Sequence, residues 1–165
     1  MIGVTFWYLA VTEIIKLLII LQGTNCPLMK TKLMNALNEY LDDELTGWSR
    51  VLDFHKEESE KMVRRLTFLV SRHAGYDRES DSFRNQLLVQ GQHIGYLKIL
   101  INNHRLLFAR SRKPLLPAFV TQQDVLRTKM HAEEKNFTRI KYGCTFFLFS
   151  SLTSEGSERN LELSS

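Results

Sequence analysis

From Leu41 the apolar positions recur in steps of four and three: Leu41, Leu45, Trp48, Leu52, His55, Ser59, Met62, Leu66, Leu69 and His73. A 3.5-residue period held over this length marks a long helix packed along a seam; a strand would alternate instead. Extending backwards, the register passes through Asn38 and Met34. The charged stretches Lys56-Glu57-Glu58 and Glu60-Lys61 fall between seam positions, as a solvated outer face requires. Gly47 is a poor helix former and marks an expected kink or break before Trp48.

Around Ala74-Gly75-Tyr76-Asp77 the pattern stops, and Gly75 suits a helix C-terminus. A second helix is expected from about 81 to 111, with Phe83, Leu87, Gln90, Ile94, Leu97, Ile101, His104 and Phe108 on its seam. Leu88, Leu100 and Leu107 widen that stripe, which suggests burial against more than one neighbour. So short a turn makes the two helices antiparallel, placing His55 opposite Leu100, and Trp48 and Leu52 near His104. Pro114 and Pro117 end the second helix. A third is expected over 122–141, with the weaker stripe Leu126, Met130, Glu133, Phe137 and Ile140.

The two ends differ from this middle. Ile2–Leu21 is a run of 20 residues interrupted only by Glu13 and Lys16, about the length a bilayer-spanning helix needs. Lys30 and Lys32 follow it and no Lys or Arg precedes it, so a spanning segment would leave the bulk facing the cytoplasm. A secretory signal and a buried bundle helix are the competing readings; the uncharged start and Leu21-Gln22-Gly23 make a poor signal. After Gly143 comes a short apolar run from Cys144, then Ser151 to Ser165, rich in Ser and Glu and without periodicity. The expected organisation is an apolar N-terminal helix at 1–23, a helical bundle or coiled-coil region at 28–141, and an apolar patch with a disordered tail at 142–165. The fold class is all-α, an antiparallel long-helix hairpin joined by a third helix.

Composition agrees with that class. Hydrophobic residues make up 44% of the 165 and charged residues 24%, a globular balance, and only 8 Gly and 3 Pro leave few breakers. The net charge of +4 is mild and its signs are interspersed, which argues against a nucleic-acid footprint. A basic helical nucleic-acid-associated protein therefore stays a distant alternative.

Candidate chemistry is sparse. His55, His73 and His104 fall on seam positions, but no Glu-x-x-His or His-Glu-x-x-His step accompanies them, so no metal or cofactor is expected. No Gly-x-Ser-x-Gly elbow occurs, and the glycines of Gln90-Gly91-Gln92-His93-Ile94-Gly95 lack a preceding strand. Asn136-Phe137-Thr138 matches the glycosylation sequon, and Cys26 and Cys144 could form one bridge in an oxidising compartment. Together these would suit a secreted helical-bundle factor.

The expectation that best fits the whole chain is a non-enzymatic helical interaction or scaffold module, membrane-associated through residues 2–21. A partner protein or a second copy would then bind along the seam: Leu41, Leu45, Trp48, Leu52 and Leu66 on one helix, and Phe83, Leu87, Ile94, Leu97, Ile101 and Phe108 on the next.

Overall fold

A computed structural model describes residues 27–72, 77–110 and 117–162 as three helices: α1 (Pro27–Arg72), α2 (Asp77–Arg110) and α3 (Pro117–Glu162). Residues 1–26, including the apolar segment and Cys26, lie outside the described residues. So do His73, the turn at 73–76, the connector at 111–116, residues 163–165 and the Met34 side chain.

Proline opens both long helices. At a first helical position its missing N–H has no intrahelical partner to lose, and its fixed φ already suits the helix. Ion pairs give the topology. Asp42 pairs with Arg105 and Asp53 with Lys98, so α1 and α2 run antiparallel. Glu44 pairs with Arg127 and Glu58 with Lys141, both 83 residues apart, so α1 and α3 run parallel. The bundle is up-down-up. Asp53 opposite Lys98 shifts the α1–α2 pairing by about one turn from the expected His55–Leu100 level.

All three helices pack against one another around two apolar clusters. One holds Leu45, Leu52, Ile94, Leu97, Ile101, Leu126 and Met130. The other holds Met62, Leu66, Leu69, Leu87, Phe137, Ile140, Cys144 and Phe147. The third helix thus supplies cover that the α1–α2 hairpin needs.

Two expectations need correction. Helix α1 passes through Gly47 without a break. Nothing lies within 4 Å of where a Cβ on Gly47 would point. Gly47→Ala should therefore stabilise the bundle by about 1 kcal/mol, the helix-propensity difference, read as a raised urea midpoint. Second, α3 does not close at Lys141. It continues through Gly143 to Glu162, so the stretch from Ser151, expected to be disordered, is helical to that point. The physical reason is a seam that never stops: Met130, Glu133, Phe137, Ile140, Cys144, Phe147 and Ser151 are buried in steps of three and four. Gly143 is accommodated because its missing side chain admits the Phe83 ring, which a Cβ would approach to 3.2 Å.

Candidate functional site

The predicted seam is the core of a single chain. Leu41, Leu45, Leu52, Leu66, Leu87, Ile94, Leu97 and Ile101 are buried, and Trp48, Phe83 and Phe108 are half-buried. Trp48 packs on one cluster, Phe83 on the other, and Phe108 meets the Phe119 ring at 5.1 Å. The side chains proposed to meet a partner thus meet one another.

Between the two clusters sits a polar layer. The Glu133 side chain is fully buried. Gln90 Nε2 donates to its Oε1 at 3.1 Å, and His93 Nδ1 lies 2.7 Å from its Oε2. His55 Nδ1 stands 3.8 Å from Oε1, close enough for attraction but beyond hydrogen-bond reach. The His55 ring stacks on Phe137 at 3.9 Å. Burial alone would push the Glu133 carboxyl up, but His55, Gln90 and His93 together outweigh it and hold the group below its ordinary value. This acid is stabilised without a Lys or Arg, by hydrogen bonds with Gln90 and His93 of α2 and the nearby His55 ring of α1. His93 is half-exposed and links the layer to solvent, whereas Glu133 has no surface with which to meet a substrate.

A second polar layer lies nearer the start of α1. Arg127 donates to both carboxylate oxygens of Glu44 at 2.7 Å and to Asp124 at 2.5 Å. Gln123 Nε2 adds a bond to Glu44 at 2.9 Å. This bidentate fork joins α1 to α3 with fixed geometry. Beside it His104 is buried and stacked on Phe119 at 4.0 Å. Burial lowers its pKa against the opposing effect of Gln123 and Gln122. Sequence reasoning identified His55, His104, Gln90 and Glu133 separately as polar seam positions. It did not join them, and it missed the Glu44–Arg127 fork, for which no single-helix spacing is a signal.

Among the described residues, no group of three or more His, Cys, Asp or Glu is placed to hold a metal ion. Cys144 is a free, buried thiol. It packs in the same cluster as Met62 and Leu66, whereas Cys26 adjoins Pro27 in sequence. Cys26, the other half of the expected bridge, lies outside the described residues. Burial raises the Cys144 thiol to about 11, with Arg65 pulling slightly the other way. In a Cys26→Ser variant at pH 8, thiol reagent should label Cys144 only as fast as the bundle opens; rapid labelling of folded protein would contradict the placement. Asn136 of the sequon lies in mid-helix, half-buried, its Oδ1 accepting from Arg139 at 3.0 Å.

With the seam inside, what faces outward is a different set of apolar side chains. On α3, Tyr142, Phe146, Phe149 and Leu152 are 73%, 74%, 66% and 61% exposed. Their steps of four, three and three place them on one face. On α1, Phe68 is also exposed, with the Arg72 guanidinium 4.9 Å above its ring. Arg65 lies near Cys144, and the 83-residue offset of the α1–α3 ion pairs puts Arg65, Phe68 and Arg72 level with the far end of that stripe. On the α2 side an open groove of about 500 Å³ runs between Phe83 and Phe146, with Glu79 on its wall.

Comparison with protein-family models, curated proteins and solved structures finds no match to this chain. Among the described residues, no helix is long and apolar enough to cross a membrane.

Proposed function

We propose that the chain is a non-enzymatic helical interaction module, and that it docks an amphipathic helix of a partner protein along the outer stripe of α3. The exposure of Tyr142, Phe146, Phe149 and Leu152 on one face carries this reading. Side chains of that size leave on the order of 500 Å² of apolar surface in one place, a patch that on a soluble protein marks a contact site. With Phe68 and the Phe83 groove it approaches the roughly 800 Å² each partner contributes to a standard interface. Arg65 and Arg72, level with the far end of the stripe, favour acidic residues on the corresponding part of the incoming helix. This reading does not depend on where residues 2–21 go.

The test uses two designed helical peptides with the same apolar face, one flanked by glutamate and one by lysine. The full chain should bind the acidic peptide more tightly by about tenfold or more, a difference of at least about 1.4 kcal/mol. Phe146→Glu with Phe149→Glu should abolish binding without changing helix content. A chain that binds neither peptide and stays monomeric in sedimentation would sink the reading.

A further inference from the structure

Helix α2 carries more apolar surface than α1 and α3 cover. Val89, Tyr96, Ile99 and Leu106 fall at steps of seven, three and seven, with Leu107 one place on. They therefore share one face, and each is about half exposed or more. The face extends onto α3, where Lys129 lies 5.8 Å from the Tyr96 ring and Val125, one turn earlier, is half exposed.

The chain contains a segment that matches this face. Ile2–Leu21 is a 20-residue apolar run, roughly 30 Å long as a helix, and Val89 to Leu107 covers roughly 27 Å of α2. Only Gln22–Cys26 separate it from Pro27, and a short connection makes consecutive helices antiparallel. A helix there would run antiparallel to α1 and so parallel to α2.

The linker limits where the segment can dock. The first buried side chain described on α1 is Leu37, and Asp42 pairs with Arg105 near the end of α2. By that pair Pro27 lies about ten residues, roughly 15 Å, past the end of α2, and by the Asp53–Lys98 pair about fourteen, roughly 21 Å. Six Cα–Cα steps join Leu21 to Pro27 and span up to roughly 21 Å, so an extended linker brings Leu21 back to about the level of the end of α2 and no further.

Charge separates docking from insertion. Glu13 and Lys16 lie three apart near the middle of the run. On a docked helix they pair on the side facing water, whereas across a bilayer both sit deep in hydrocarbon, where ionised groups are costly.

We propose that Ile2–Leu21 docks as a fourth helix on the face formed by Val89, Tyr96, Ile99, Leu106 and Leu107 of α2 with Val125 of α3. This surface is separate from the α3 stripe, so the failure of one leaves the other standing.

The experiment places a photo-crosslinking amino acid at position 107 of the full chain in detergent-free buffer, with position 57 on the exposed part of α1 as control. Position 107 should crosslink to residues 2–21 within one chain, and position 57 should not. Leu106→Glu should cut that yield, and raise proteolysis within 2–21, by about tenfold or more, as expected when a docked segment opens. The main unfolding transition of the bundle should remain. Crosslinks only to a second copy, none to residues 2–21, or protection of 2–21 from protease only when phosphatidylcholine vesicles are present would each overturn the proposal.

Discussion

Replacing Glu133 with alanine should lower the stability of the bundle by roughly 2–5 kcal/mol, measured by urea unfolding of the helical signal. The loss comes from the groups left behind. Gln90 Nε2 loses its acceptor at 3.1 Å, and His55 loses the carboxylate 3.8 Å away, both deep in the core. His93 suffers less, because its half-exposed ring can turn to water. Replacing Glu133, His55 and Gln90 together by leucine should recover much of the loss, since an apolar layer leaves nothing unpaired. If the triple variant is as damaged as Glu133→Ala, the unpaired-group argument fails.

The same residue sets an acid limit. Its carboxyl is held below the ordinary value in the folded chain. Its contribution is therefore complete above about pH 4.5, the unfolded value, and is lost as pH falls through the lower folded value. Glu58 acts in the same direction, held at about 2 by hydrogen bonds from Lys61 and Lys141. His104 starts earlier. Its folded pKa is depressed, so protons favour the unfolded chain as pH falls below about 6.5. Glu133→Ala should flatten the stability profile below pH 4.5 and leave the His104 portion unchanged.

Leu97→Ala should cost about 2–5 kcal/mol, a large share of the stability of a domain this size. Leu97 is 0% exposed among the seven residues of its cluster, so the deletion leaves a cavity that three helices can only partly close. Leu88→Ala on the same helix removes the same atoms from a side chain 63% exposed, and should change stability by less than about 0.5 kcal/mol. Equal effects at the two positions would mean that the inward and outward faces of α2 are misassigned.

The seams of α1 and α2 were legible because a 3.5-residue repeat has one structural meaning when it runs that long. Leu41 to Leu69 and Leu87 to Ile101 face inward as that repeat requires. The end of α3 was not legible because Gly143 looked like a terminus and polar Ser151 and small Cys144 occupy seam places. Their burial shows that position in the repeat decided the fold there, ahead of residue type. The Glu133 layer was out of reach for another reason. Each helix carries its own repeat, but the offset between helices is decided by three-dimensional packing, and it differs by about a turn from the simplest pairing. The outward stripe of α3 was visible only as an apolar run after Gly143. Which of its members face solvent depends on the helix continuing.

The buried carboxylate layer also settles a question of alignment. Three helices built on a seven-residue repeat can slide past one another by whole repeats and still match apolar to apolar. A slide of α3 by one repeat would carry Glu133 from the level of His55 to that of Trp48 or Met62, away from Gln90 and His93 of α2 that now bond it. The Glu44–Arg127 fork would break in the same movement. Of the alignments the repeat permits, the chain is left with one. The spacing between its two outward-facing apolar surfaces is thereby held constant, like two marks on a ruler.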